Sequence, residues 1–267
     1  MPALKPLKPL RHAPPVGIER DYAVKIRKTI KKTGKLVRDE VVTALPEILT
    51  SYNLEIKQDD AGDELLQIFS SVRQRVTSSL ELDTGEFVKK TGTQTSWWNK
   101  KENSTMLKNK YGVDFYENDS FLGEFLKVFV INNVNLIKSA NIEFLDKTEQ
   151  VVYSGMRSGL RHESIAQKIF SQSKDKLGRN SPYSNALTRA SIIARDQVNK
   201  ANGDLTMVRQ ARAGVKKYVW RTAGDVRVRP LHQSYSGKKY SWTKGTPEGL
   251  HPGMDIMCRC YAEPVFD

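Results

Sequence analysis

The sequence predicts a mostly α-helical α+β protein, with a helical N-terminal and middle region followed by a small C-terminal α+β module. Three observations carry that expectation. Apolar residues recur at helical spacing from Tyr22 to Val198. After Gly214 the texture changes to short strand-like runs separated by turn glycines. Pro2, Pro6, Pro9, Pro14 and Pro15 interrupt the first 17 residues, where no regular element can form.

The expected organisation is an extended basic arm over 1–17, a helical region over 18–158 and a C-terminal domain over 159–267. The arm is expected to order only against a partner. Tyr22, Ile26 and Ile30, then Val37, Val41 and Leu45, place one apolar stripe on a first helix that Pro46 bends or ends. Leu65, Phe69, Val72, Val76 and Leu80 mark a second helix over about 62–80. The polar stretch 91–116, with the adjacent Trp97 and Trp98, reads as a long loop or hairpin. Asp119 is placed to cap a third helix reaching about Asn141, and a further helix takes Ile142 to Met156. Gly155 and Gly159 bracket a break. A short helix over 162–171 then buries Ile165, Ala166 and Ile169, and a long helix over 184–212 buries Ala186, Ala190, Ile193 and Val198. Strands are expected at 215–220, 239–242 and 261–265, with turns at Gly224 and Gly237.

Charge narrows the partners. The chain of 267 residues carries a formal net charge of +13. Residues 1–40 hold eleven Lys and Arg against four acids, and residues 157–229 hold sixteen against five. The rest of the chain is slightly acidic, so the basic character is segregated, which favours a polyanionic partner. The expected polyanion-binding residues are Arg189, Arg195, Lys200, Arg209, Arg212, Lys216 and Lys217. No base-reading motif accompanies them, so the expected contact with DNA is non-specific. The competing reading is that these charges only solubilise helix faces. No apolar run reaches membrane-spanning length, and no apolar segment follows the basic N-terminus as a secretory signal requires. Cys258 and Cys260, one residue apart, are expected to be reduced thiols.

His232, His251, Cys258 and Cys260 fall within the last 36 residues. Two imidazoles and two thiols suit zinc, and a structural metal suits a module short of core volume. The alternative is metal-free: histidines bonding backbone in turns and cysteines packing as small buried residues. The one-residue cysteine spacing favours the metal-free form. No nucleophile elbow, phosphate-binding loop or zinc-protease motif occurs, and no catalytic residue is assigned. Asp225 lies seven residues before His232, but after Gly224 it reads as a turn residue.

The ordered strings RASIIARDQVNKANG, YVWRTAGDVRVRPLH and LHPGMDIMCRCYAEP resemble the C-terminal domain of phage Mu protein F-like head-morphogenesis proteins. The residues that carry the resemblance are Ala194, Arg195, Asp196, Trp220, Thr222, Asp225, Arg227, Val228, His232, Gly237, His251, Pro252, Cys258, Arg259 and Cys260, over about 184–264. Of these, Trp220, Thr222, Asp225, Arg227, Gly237, Pro252 and Arg259 are expected to be structural, with Arg259 pairing Asp225 or Asp255. Arg229 is a departure, since many members carry cysteine there. The resemblance implies a few-copy minor capsid protein, present in the virion near the portal and in the host cytoplasm during assembly. Its implied partners are the portal protein, scaffolding or major capsid protein, and phage DNA, with no membrane. The alternatives from the residues are a DNA-binding module with a zinc-stabilised C-terminal domain and, last, a nuclease or toxin-like enzyme.

Overall fold

The computed structural model describes residues 13–53, 58–112, 119–175 and 178–266. Among them run α1 (Val16–Leu36), a π-helical stretch (Val37–Val42), α2 (Thr43–Asn53), α3 (Gln58–Tyr111), α4 (Leu122–Arg157), α5 (His162–Phe170) and α6 (Pro182–Arg212). They are followed by β1 (Lys217–Arg221), α7 (Pro230–Tyr235), β2 (Lys239–Ser241) and β3 (Tyr261–Val265). The class is the mostly α, α+β one read from the sequence. Most of the proline-rich arm lies outside the described residues, and its last two positions, Val16 and Gly17, already belong to α1.

The structure corrects two element readings. The stretch 91–116 is no loop: through Tyr111 it is the second half of α3. Its buried positions include Thr91, Thr95, Asn99 and Asn103, a four-residue repeat written in polar residues, which a search for apolar periodicity passes over. The two helices expected between Asp119 and Met156 are likewise one, α4, because Ile137, Ala140, Asn141, Phe144 and Leu145 continue a single buried face across the expected break. Pro46 sits inside α2 without ending it. The π-helical stretch just before it opens the ladder where Pro46 has no N–H to donate.

The described residues divide into two compact units. One takes Arg20–Lys89 and Val128–Ala194 and is helical. Tyr22, Ile26 and Ile30 are fully buried there, as the stripe on α1 requires, with Phe69, Val72, Ile137 and Phe144. Two buried polar pairs lie in this core: Tyr22 donates to Asn133 Oδ1 at 2.9 Å, and Thr33 donates to Asn141 Oδ1 at 2.7 Å. Gly34 lets the Tyr183 ring lie against α1, since a Cβ there would stand 2.8 Å from it. The sequence boundary at residue 159 falls inside this unit, at the turn between α4 and α5.

The other unit takes the described residues of 13–19, 90–127 and 195–266. Its antiparallel sheet has the order β2-β1-β3. Tyr218 pairs with Tyr240 on one side and Pro264 on the other, and Trp220 pairs with Ala262. By strand alternation Tyr218 and Trp220 share a face. That face carries a buried core of Tyr218, Trp220, Tyr235, Cys258, Cys260 and Ala262. On the opposite face Glu263 is buried between Lys110 and Arg221.

Candidate functional site

His232 rides on α7, whose first helical position is Pro230 and whose preceding Arg229 is extended, a common opening for a short helix. Cys258 and Cys260 lie on the segment entering β3. Just before them Met257 takes a left-handed φ of 61°. Its N–H donates to Asp196 Oδ1 of α6 at 2.9 Å, which holds the segment in that conformation. Gly203 allows the approach of the 251–253 loop to α6: a Cβ there would stand 2.8 Å from the Pro252 carbonyl oxygen.

These elements bring three of the four expected metal ligands together. The ligand atoms of His232, Cys258 and Cys260 lie within 4.8 Å of one another, and all three residues are buried. Both Sγ atoms stand 3.6 Å from His232 Nδ1. His232 Nε2 lies 2.8 Å from Asp255 Oδ2, so the carboxylate favours a proton on Nε2 and a bare Nδ1. His251 is not in the group; its Nδ1 meets the Tyr218 hydroxyl at 2.9 Å, and burial pushes its pKa down. Hydrogen bonding from the Cys260 thiol, against the cost of burial, and backbone N–H groups of Cys260 and Gly253 pull the Cys258 thiol down to about 6. The same sharing with Cys258, with burial, pushes Cys260 up.

Around this centre the structural residues sit as follows. Trp220 packs edge-on against His232 and Tyr235 at 5.4 and 5.1 Å between ring centres. Gly237, at φ 82°, closes a turn by donating to the Trp220 carbonyl. Asp225 accepts from the backbone and guanidinium of Arg227, which holds its carboxyl below the usual range. Thr222 is half-buried and Pro252 buried. Arg259 departs from expectation. It pairs with Glu19 at the start of α1, and it is Arg229 that reaches Asp255, at 3.5 Å, while donating to the Ile256 carbonyl at 2.7 Å. Asp225 was already committed to Arg227, two residues away, leaving Arg259 to the more deeply buried carboxylate.

The expected polyanion surface needs one correction. Arg209 is 3 % exposed and spends its guanidinium on the Ser96 carbonyl, Asn99 Oδ1 and Asp119. It neutralises an interior, because a buried guanidinium must be paired. Arg189 pairs with Glu143, and Lys200 pairs with Asp196. Arg195 is half-buried; Arg212, Lys216 and Lys217 are exposed, and Arg212 lies 4.7 Å over the Phe121 ring.

Residues 146–263 match the family described as phage Mu protein F like protein. Over this segment the chain is similar to the phage Mu protein F-like family. The Mu F-like segment begins in α4 and runs into β3, so it contains His232, both cysteines and Asp255. The family is one of phage head-morphogenesis proteins and is not a known enzyme family. An uncharacterized protein of Haemophilus influenzae is 30% identical over 260 residues, which is 95% of this chain and 55% of that relative. The chain thus spans about half the length of the relative it matches. No solved structure matches the chain. Among the described residues no helix is long and apolar enough to cross a membrane.

Sequence reasoning named the three converging donors, and it named Asp255 and Asp196 without the roles the structure gives them, bonding His232 and the Met257 N–H; it missed Glu19, the partner of Arg259. Asp196 carried a signal, since it belongs to the Ala-Arg-Asp string of the resemblance. Glu19 carried none, because its partner is 240 residues away.

Proposed function

We propose that the protein is a minor capsid protein of a bacteriophage, sited inside the head at the portal vertex, where it acts in procapsid assembly and in packaging or ejection of DNA. The observation that carries this reading is the Mu F-like match over 146–263. The net charge of +13 supports it, since a protein enclosed with a phage genome meets a polyanion at high concentration. Its partners are the portal protein, scaffolding or major capsid protein, and genomic DNA bound through phosphates. The segregated basic segments also favour a second, compatible reading as a non-specific DNA-binding module.

The test is co-expression of the tagged full chain with the portal and major capsid proteins of the same phage. The chain is expected to co-purify with the portal and to be present in purified procapsids by mass spectrometry. Absence from particles, with no retention by the portal, would overturn the reading.

A further inference from the structure

We infer that His232, Cys258 and Cys260 bind a zinc ion that ties α7 to the segment entering β3. The inference is independent of any role in the head.

The geometry carries it in three steps. A tetrahedral zinc, with Zn–S of about 2.3 Å and Zn–N of about 2.0 Å, sets sulfur and nitrogen roughly 3.5 Å apart. Both sulfurs here stand 3.6 Å from His232 Nδ1. Hydrogen bonding does not account for that symmetry. With its proton on Nε2, the imidazole offers one lone pair at Nδ1, which accepts from one thiol and not from two. A cation on that lone pair takes both sulfurs at once.

Second, the surroundings are those of a ligating histidine. Asp255 accepts from Nε2, Arg229 lies against Asp255, and Arg229 is itself fixed by the Ile256 carbonyl. Such a carboxylate sets the tautomer and raises the basicity of a metal-bound imidazole. Arg229 therefore supports the site from outside it. The Cys260 N–H reaches Cys258 Sγ at 3.4 Å, a contact that stabilises thiolate.

Third, the one-residue cysteine spacing loses its force as an objection. Residues two apart on extended backbone point the same way. Cys258 and Cys260 both enter the aromatic core, while Arg259 between them turns to Glu19. A separate turn is not needed to converge the thiolates. Binding is Zn²⁺ plus two thiols and one neutral imidazole, giving a neutral bis-thiolate centre and up to two released protons. The fourth position is left to water or another exchangeable donor, because His251 is engaged with Tyr218. A Cys258–His232–Asp255 nucleophilic triad is the competing use of these atoms. It leaves Cys260 without a purpose, and it needs a substrate to reach a cysteine that is 4 % exposed.

The experiment uses the full chain. Elemental analysis should find one zinc per chain, removed by a strong chelator. Cobalt(II) added to the stripped protein should give thiolate charge-transfer absorption and d–d bands of tetrahedral intensity. Cys258→Ser, Cys260→Ser and His232→Ala should each abolish the bands, and His251→Asn should keep them. Because those variants risk unfolding, wild-type protein is also titrated with a mercurial, which should release one zinc as two thiols react. Absence of both zinc and cobalt bands overturns the inference, as does rapid alkylation of Cys258 alone whether or not zinc is supplied. Loss of metal in a folded His251→Asn protein overturns the three-donor assignment.

Discussion

Glu19 on the first turns of α1 and Arg259 between the two cysteines form an ion pair across 240 residues of sequence, with side-chain exposures of 6 % and 13 %. Asn199 of α6 donates to the other Glu19 oxygen at 2.9 Å, so the carboxylate also engages the helix that holds Met257. The pair fastens the N-terminal end of the described chain to the metal-site segment. A buried ion pair is costly to break from one side, because the survivor stays desolvated and uncompensated. Glu19→Ala is therefore expected to destabilise the protein by about 3–5 kcal/mol. Urea unfolding followed by tryptophan fluorescence measures this, and a loss under ~1 kcal/mol would show the pair to be dispensable.

A second interior rests on polar atoms. Asn99 Nδ2 donates to the Asn202 carbonyl, Asn202 Oδ1 and Thr206 Oγ1 at 2.7–2.9 Å, and Arg209 closes the network onto Asn99, Ser96 and Asp119. Removing one member of such a network leaves the others unsatisfied in a low-dielectric site. Asn99→Ala is expected to cost about 1–3 kcal/mol. Asn99→Leu should cost at least as much, since the orphaned groups remain. A neutral Asn99→Leu protein in thermal melts would mean that the network adds nothing to stability.

The same network explains which parts of the fold were readable. The stripes on α1 and α6 are apolar and appear in the sequence as such, and β3 is bounded by residues that could be read directly, Tyr261 to Val265. Thr91, Thr95, Asn99 and Asn103 obey the same four-residue period, but Thr95 donates to the Thr91 carbonyl, and Asn99 and Asn103 bond Asn202 and Thr206, more than a hundred positions away. Their chemistry says loop until those partners are known. At the candidate site the donor types were legible because zinc chemistry is a matter of residue identity. The choice of three donors over four was not, because it depends on the Tyr218–His251 contact, which is a fact of packing.

Acid should weaken the sheet unit through Glu263. Burial pushes its carboxyl up, but hydrogen bonds and charges from Lys110 and Arg221, each 2.6 Å away, outweigh it and hold the group below its ordinary 4.5. A carboxylate depressed in the folded state contributes stability that is fully present above its unfolded value. That contribution is lost as pH falls through the folded one. Asp119, held down against burial by Lys100 and Arg209, acts in the same direction. Melting temperature is expected to be flat in these groups above pH ~5 and to fall below pH ~4. Glu263→Gln should melt lower at neutral pH and lose part of the acid slope. An unchanged slope in that variant would remove Glu263 from the account.

The proposed DNA contact makes a prediction about salt that separates exposed from buried cations. Phosphate neutralisation releases counterions, so affinity should fall by orders of magnitude between roughly 50 and 200 mM salt, with little preference among sequences. Arg212, Lys216 and Lys217 lie exposed where α6 hands over to β1, so a phosphate can reach each of them from solvent. Replacing any one by alanine should reduce the slope of log affinity against log salt by about one. Arg209 lies on the same helix with the same charge but is buried against Asp119, so Arg209→Met should lower stability and leave the slope unchanged in whatever fraction remains folded. Filter binding or fluorescence anisotropy on duplexes of unrelated sequence, repeated over a salt series, reads both quantities. Binding that ignores salt, or that Arg209→Met weakens with a reduced slope while Lys216→Ala and Lys217→Ala do not, would place the DNA contact elsewhere on the chain.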